Sequence, residues 1–144
     1  MANIGTSIDL DASADEIWAV IGGFGSLPDW IPTITSSELR EGGRVRNFNT
    51  SDGANITERL MAFDEVGHSY TYAIVQGPIP VTGYLSTLRV KQKDGGKGSA
   101  VEWVGNFTPS GVSVEEATKI VFGIYDGGLT ALTKRFAPNG ASVA

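Results

Sequence analysis

The sequence predicts an α+β domain, with strands gathered in the middle of the chain and helices at its two ends. Three observations carry that prediction. Residues from about Ser37 to Pro109 read as strands and turns with a period of two. A capped amphipathic segment, "SADEIWAVIG", precedes them. A long helical stripe from Ser113 to Phe136 follows them. Strands in one run and helices in another are the mark of α+β rather than α/β architecture.

The chain has 144 residues, 41% of them hydrophobic and 19% charged, enough for one domain with its own core. Residues 1–137 are taken as that domain and 138–144 as a flexible tail. A net charge of −5 argues against a nucleic-acid partner, which needs a concentrated basic surface. The absence of cysteine excludes disulfides, thiolate nucleophiles and cysteine metal sites together. No apolar run approaches the ~18 residues of a membrane span, so no membrane insertion is expected. "MANIGTSIDL" lacks the basic flank and apolar stretch of a secretion signal, which makes the cytoplasm the expected compartment. The single histidine, His68, sits in the turn-like "DEVGHSY", an unpromising place for a catalytic triad.

"NIGTSIDL" alternates Ile4, Thr6, Ile8 and Leu10 on one face and reads as the first strand. Ser13 and Glu16 then have capping-box spacing, and Ile17, Val20, Ile21 and Phe24 share a face. "GSLPDWIPTI" holds two prolines and supports a short helical turn followed by a loop. Asp52-Gly53 is the signal of a two-residue hairpin. With that pair at the tip, Asn49 faces Ile56, Asn47 faces Glu58 and Val45 faces Leu60. The other side collects Arg44, Arg46, Phe48, Thr57, Arg59 and Met61. Three arginines do not share a buried face without partners, so that side is assigned to water, and Glu58 points inward with Asn47.

"SYTYAIV" alternates Tyr70, Tyr72 and Ile74 on the same inner face. A Gly95-Gly96 tip in the next hairpin sets Leu88 opposite Trp103, Ser86 opposite Gly105 and Tyr84 opposite Phe107. It also pairs Arg89 with Glu102, which supports the register. The final helix opens at Ser113 with Glu116 three residues on. Val114, Ala117, Val121, Tyr125, Gly128, Leu132 and Phe136 form its apolar stripe, leaving Gly123 and Gly127 on the polar side with Lys119 and Thr130. Each interior glycine costs about 1 kcal/mol relative to alanine. A bare Gly128 facing a bare Gly105 leaves either a void for a ligand or a point of close helix-to-sheet packing, and both readings stay open here.

The order of elements, together with "EIWAVIGGFGSLPDWIP", "GANITERL", "YTYAIVQGPIPVTGYLSTLRV", "SAVEWVGNFTP" and "YDGGLTAL", resembles the SRPBCC, or START-like (birch-pollen-allergen-like), superfamily in its polyketide cyclase/dehydrase branch. The resemblance runs from about Ile4 to Phe136. It implies a helix-grip fold: a curved seven-stranded antiparallel sheet wrapped around a long C-terminal helix, with two short helices after the first strand. An apolar pocket between sheet and helix comes with it, and so does a hydrophobic small-molecule ligand or substrate. Members of the superfamily include cyclases, dehydratases, lipid carriers and chaperone activators, and no residue's role is carried over.

Within that frame Glu58 is the candidate general acid/base, since an inward carboxylate is desolvated and its affinity for a proton rises. Tyr72 and Tyr84 are candidate hydrogen-bond donors to a substrate oxygen. Asn47, Ser86, Trp103, Gly105, Phe107, Tyr125 and Gly128 are candidate ligand-binding positions, Trp30 is expected to guard the pocket mouth, and "GPIPVTG" is a second candidate rim. The alternatives are a structural Glu58 tied to Asn47 or to an arginine, and tyrosines that merely form an aromatic wall. The expected function is binding of a hydrophobic or aromatic small molecule with a cofactor-free acid/base step, such as cyclisation, dehydration or a related lyase or isomerase reaction. The competing expectation is a non-catalytic carrier or sensor. No cofactor and no metal are implied, and the expected state is a monomer or weak homodimer.

Overall fold

A computed structural model of the chain describes residues 1–93 and 98–137. The elements run β1 (Ala2–Leu10), α1 (Ala14–Ile21), α2 (Leu27–Trp30), β2 (Ile34–Arg40), β3 (Val45–Thr50), β4 (Asn55–Asp64), β5 (Ser69–Gln76), β6 (Val81–Gln92), β7 (Ser99–Pro109) and α3 (Val114–Arg135). The seven strands form one antiparallel sheet in the order β1-β7-β6-β5-β4-β3-β2. This is the helix-grip arrangement. Because β1 and β2 lie at opposite edges, α1 and α2 carry the chain across one end of the sheet. Register shifts at Ile34–Ser36, Thr57–Glu58, Leu60–Ala62 and Thr82–Leu85 bend the strands, as bulges do.

Local chemistry accounts for the helix ends. Ser13 accepts the Glu16 N–H while Glu16 reaches back to the Ser13 N–H, completing the predicted capping box of α1. Ser113 caps α3 by accepting the Glu116 N–H at 3.1 Å. Ile17, Ile21, Leu88, Val101, Phe107 and Leu132 are fully buried in one core, each contributing roughly 1.5–3 kcal/mol by leaving water. The β6–β7 register agrees with expectation at Leu88–Trp103, Ser86–Gly105 and Arg89–Glu102. Its Gly95-Gly96 tip, like the expected tail 138–144, lies outside the described residues.

The β3–β4 hairpin corrects the sequence reading. Its pairs are Val45–Arg59, Arg46–Glu58, Asn47–Thr57, Phe48–Ile56 and Asn49–Asn55, one residue away from the expected register. The loop has three residues, not two. The Thr50 N–H reaches the Ala54 carbonyl at 2.9 Å, and Gly53 takes the left-handed conformation at φ 91°. Asp52 accepts the Ala54 N–H at 3.2 Å, which places it second in the loop rather than first. A one-residue slip exchanges the faces of one strand against its neighbour. So Glu58 does point inward, but it is Arg46 and Phe48 that join it. Asn47 lies on the opposite face, where its amide donates to Asn55 Oδ1 at 2.9 Å and to Thr57 Oγ1 at 2.8 Å.

Of the two readings left open for the facing glycines, close packing is the one observed. The Tyr125 hydroxyl occupies the space beside Gly105, and a Cβ at Gly128 would stand 2.8 Å from Trp103 Cζ3 and 3.3 Å from Trp30 Cζ3. Trp103 stacks on Tyr125 with ring centroids 4.6 Å apart. These glycines bring α3 hard against the sheet. Its buried face is Ala117, Val121, Tyr125, Gly128, Leu129 and Leu132, whereas Val114, expected in the stripe, is exposed.

Candidate functional site

The open space lies beside the helix rather than beneath it. A cavity of about 670 Å³ separates the flank of α3 from the β3–β4–β5 half of the sheet. Ile120, Gly123, Ile124, Gly127, Gly128 and Ala131 form the helical wall, and Phe48, Ile56, Ile74, Tyr72, Tyr84 and Trp103 face them from the sheet. Leu27 and Ile31 close one end from α2 and its exit. Thr50 at the end of β3, Ser51 and Asp52 of the β3–β4 loop, and Lys134 stand at the outer side. A Cβ at Gly123 or Gly127 would meet nothing within 4 Å. Gly123 and Gly127, assigned to the polar side, are exposed as expected and also line the open side of the cavity.

The inner polar end is an ion pair. Arg46 Nε lies 2.8 Å and Nη2 2.6 Å from the same oxygen, Glu58 Oε1. Arg46 Nη1 donates to the Phe24 carbonyl at 3.1 Å and to the Tyr70 hydroxyl at 3.2 Å. Its guanidinium sits 4.2 Å from the Phe24 ring centre and 4.7 Å from that of Tyr72. Arg46 is 1% exposed and Glu58 5%, so neither charge is dispersed by water. Burial pushes the Glu58 carboxyl above its ordinary value, and the Arg46 guanidinium pulls it back. Burial also opposes the charge on Arg46, but Tyr70, Glu58 and Tyr72 more than compensate and hold its guanidinium above its ordinary value.

A second polar system runs along the wall. Trp103 Nε1 donates to the Tyr72 hydroxyl at 3.1 Å, which lies 3.5 Å from that of Tyr84. Tyr84 meets Tyr125 at 2.6 Å, Tyr125 meets Ser86 Oγ at 2.7 Å, and Ser86 Oγ donates to the Val104 carbonyl at 3.0 Å. Burial holds the Tyr72 and Tyr84 hydroxyls well above the usual phenol value and pushes Tyr125 up to about 12. At neutral pH all three are protonated and act as hydrogen-bond donors, not as bases.

Of the residues singled out from sequence, Glu58, Tyr72, Tyr84, Trp103 and Gly128 line the cavity. Ser86, Gly105, Phe107 and Tyr125 sit behind its wall and position what faces it. Trp30 is not a mouth residue. It is 4% exposed and packs against Trp103 and Gly128, and its Nε1 has no partner among the described residues. Its neighbours Ile31, Pro32 and Thr33 line the cavity in its place. Ile79 does so for the "GPIPVTG" turn, as expected of a second rim. Asn47 is excluded by its position on the other face. Sequence reasoning missed Arg46, although an inward Glu58 calls for a cation, and the strand beside it offers one. Among the described residues no cluster of His, Cys, Asp or Glu has a metal-binding arrangement, and no helix is long and apolar enough to cross a membrane.

The family model described as polyketide cyclase / dehydrase and lipid transport matches residues 1–137. Two solved structures are similar along nearly the whole chain. A putative uncharacterized protein from Bacillus thuringiensis is 50% identical, with a TM-score of 0.92, 95% of this chain covered and 100% of the other. The protein XoxI from Bacillus cereus is also 50% identical, with a TM-score of 0.92 and coverage of 94% and 96%. A START superfamily protein from Mycobacterium smegmatis shares the fold at 15% identity, with a TM-score of 0.75 and coverage of 93% and 96%. No curated protein matches this chain.

Proposed function

The chain belongs to the polyketide cyclase / dehydrase and lipid transport family, and from that premise we propose that it takes a hydrophobic or aromatic small molecule into the cavity beside α3. One observation carries the reading. A space of about 670 Å³, within the usual range for small-molecule sites, is walled by aliphatic and aromatic side chains and ends in a few convergent polar groups. Binding without chemistry, as in a carrier or sensor, is the use the geometry favours. The carboxylate oxygen nearest Arg46 already accepts a charge-assisted hydrogen bond from Nε and makes a close ion contact with Nη2. The test is titration with the neutral apolar fluorophore N-phenylnaphthylamine. Saturable one-to-one binding is expected, abolished by Gly127→Phe in a folded protein. Absence of binding by the native chain refutes the proposal.

A second reading has its own support. Both Arg46 contacts fall on Glu58 Oε1, and Oε2 has no hydrogen-bond partner among the described residues. Glu58 then serves as a general base towards a bound ligand, with Tyr72 donating to the developing oxyanion, in a cyclisation, dehydration or related lyase or isomerase step. Burial raises the Glu58 carboxyl above its ordinary value and so strengthens its pull on a proton, and Arg46 opposes that rise, which favours the ionised form a base requires. Under this reading Glu58→Gln retains ligand binding and lowers turnover roughly 10²–10⁴-fold. Unchanged turnover removes catalysis and leaves binding.

A further inference from the structure

We propose that the polar end of the cavity selects a neutral hydroxyl, of a phenol or an alcohol, carried by an otherwise apolar ligand that enters hydroxyl first. The inference rests on the cavity being a ligand site and adds what that site recognises. It follows from counting protons along the hydroxyl chain. A carbonyl only accepts, so Ser86 gives its one proton to Val104 at 3.0 Å. At the 2.7 Å contact with Ser86, Tyr125 is therefore the donor. Tyr125 having spent its proton, Tyr84 donates to it at 2.6 Å. The Tyr72 oxygen accepts the Trp103 indole N–H at 3.1 Å. What is left is the Tyr72 proton, for which the one hydroxyl in hydrogen-bonding geometry among the described residues is that of Tyr84, at 3.5 Å too long for a good O–H···O bond. The chain thus runs one way and delivers a single free donor at the cavity wall.

Glu58 supplies the complement. Arg46 engages Oε1 alone, so Oε2 is an acceptor without a partner among the described residues, on a side chain that lines the same cavity as Tyr72. One donor and one acceptor at one end of an apolar space match a group that both gives and receives. A hydroxyl gives its proton to Glu58 Oε2 and receives that of Tyr72. The ion pair beside it is neutral overall. A ligand ammonium finds Glu58 Oε2 but faces Arg46 and offers no acceptor to Tyr72, and a ligand carboxylate accepts from Tyr72 but faces Oε2, so neither charged group satisfies both. An ether offers no proton to Glu58, and a hydrocarbon leaves both protein groups unpaired, which a buried polar site penalises.

Equilibrium dialysis of the native protein against naphthol, methoxynaphthalene, naphthoate and naphthalene tests the selection. Naphthol is expected to bind on the order of tenfold to a hundredfold more tightly than naphthalene or methoxynaphthalene. Naphthoate is expected to bind more weakly than naphthol. Tyr72→Phe, checked for folding by circular dichroism, should remove most of the advantage of naphthol over naphthalene. Glu58→Gln, which presents an amide N–H to the ligand, should shift preference from naphthol towards methoxynaphthalene. Equal binding of naphthol, its ether and naphthalene, or tightest binding of naphthoate, overturns the hydroxyl selection and leaves the ligand site standing. If none of the four binds, the selection and the site fall together.

Discussion

Replacing the glycines of α3 one at a time should separate two kinds of bare position on one helix. At Gly123 and Gly127 a new Cβ meets open space, and neither residue is recorded at a positive φ. Gly123→Ala and Gly127→Ala therefore recover the helix propensity that glycine gives up, about 1 kcal/mol each and about 2 kcal/mol together. For a domain of this size that is roughly 3–5 °C in Tm per substitution. At Gly128 the new Cβ stands 2.8 Å from a Trp103 ring carbon that is itself stacked on Tyr125. Overpacking there costs about 1–3 kcal/mol, which exceeds the propensity gain or cancels it. Chemical denaturation followed by circular dichroism reads all three variants on one scale. A destabilised Gly127→Ala, or a Gly128→Ala that gains stability like the other two, refutes the assignment of cavity wall and contact point. Apolar probe binding adds a second axis. Alanine at Gly127 narrows the site slightly, whereas Gly127→Leu fills it and should weaken probe binding at least tenfold while the helix stays intact.

Three further outcomes are expected. Arg46→Met strands the Glu58 charge in the core and should cost about 3–5 kcal/mol in chemical denaturation, whereas Arg46→Met with Glu58→Met should recover most of that loss. Tyr125→Phe removes the acceptor of the Tyr84 proton and the donor to Ser86, and should cost about 1–3 kcal/mol by the same measurement. The folded-state values of Tyr72, Tyr84 and Tyr125 lie above the ordinary 10.0 of the unfolded chain. Their stabilising contribution is therefore complete below pH 10 and is lost progressively as the pH rises from 10 through the folded values, which for Tyr125 is about 12. Near-ultraviolet tyrosinate absorbance should accordingly rise for these residues together with unfolding, not ahead of it.

What the sequence made legible was whatever local chemistry fixes. The Ser13–Glu16 box set the start of α1, and the Arg89–Glu102 pair held the β6–β7 register. The β3–β4 register failed because Asp52-Gly53 serves equally well as a two-residue tip and as the last two residues of a three-residue loop. The choice lay in the Asp52 contact with the Ala54 N–H, which composition does not announce. That one-residue error placed Asn47 in the site and Arg46 outside it, yet Glu58 was located correctly because the argument against buried arginines holds for its strand neighbour Arg59, which is exposed, and fails only for Arg46 on β3. The glycines were legible only in part. A helical wheel sorts positions into core and solvent, and a cavity wall is neither. Gly123 and Gly127 occupy a third environment that periodicity has no symbol for.

The outermost strand pairing has a consequence for synthesis. β1 is hydrogen-bonded only to β7, from Ala2–Phe107 to Leu10–Ser99, partners roughly a hundred residues apart along the chain. At about 5–20 residues per second, a ribosome leaves the first strand waiting on the order of 5–20 seconds before its mate exists. During that interval Ile4, Ile8 and Leu10 have no sheet to join, and the nascent chain carries an unclaimed adhesive edge. The pairing that places β1 in the sheet therefore cannot form until β7 has been made.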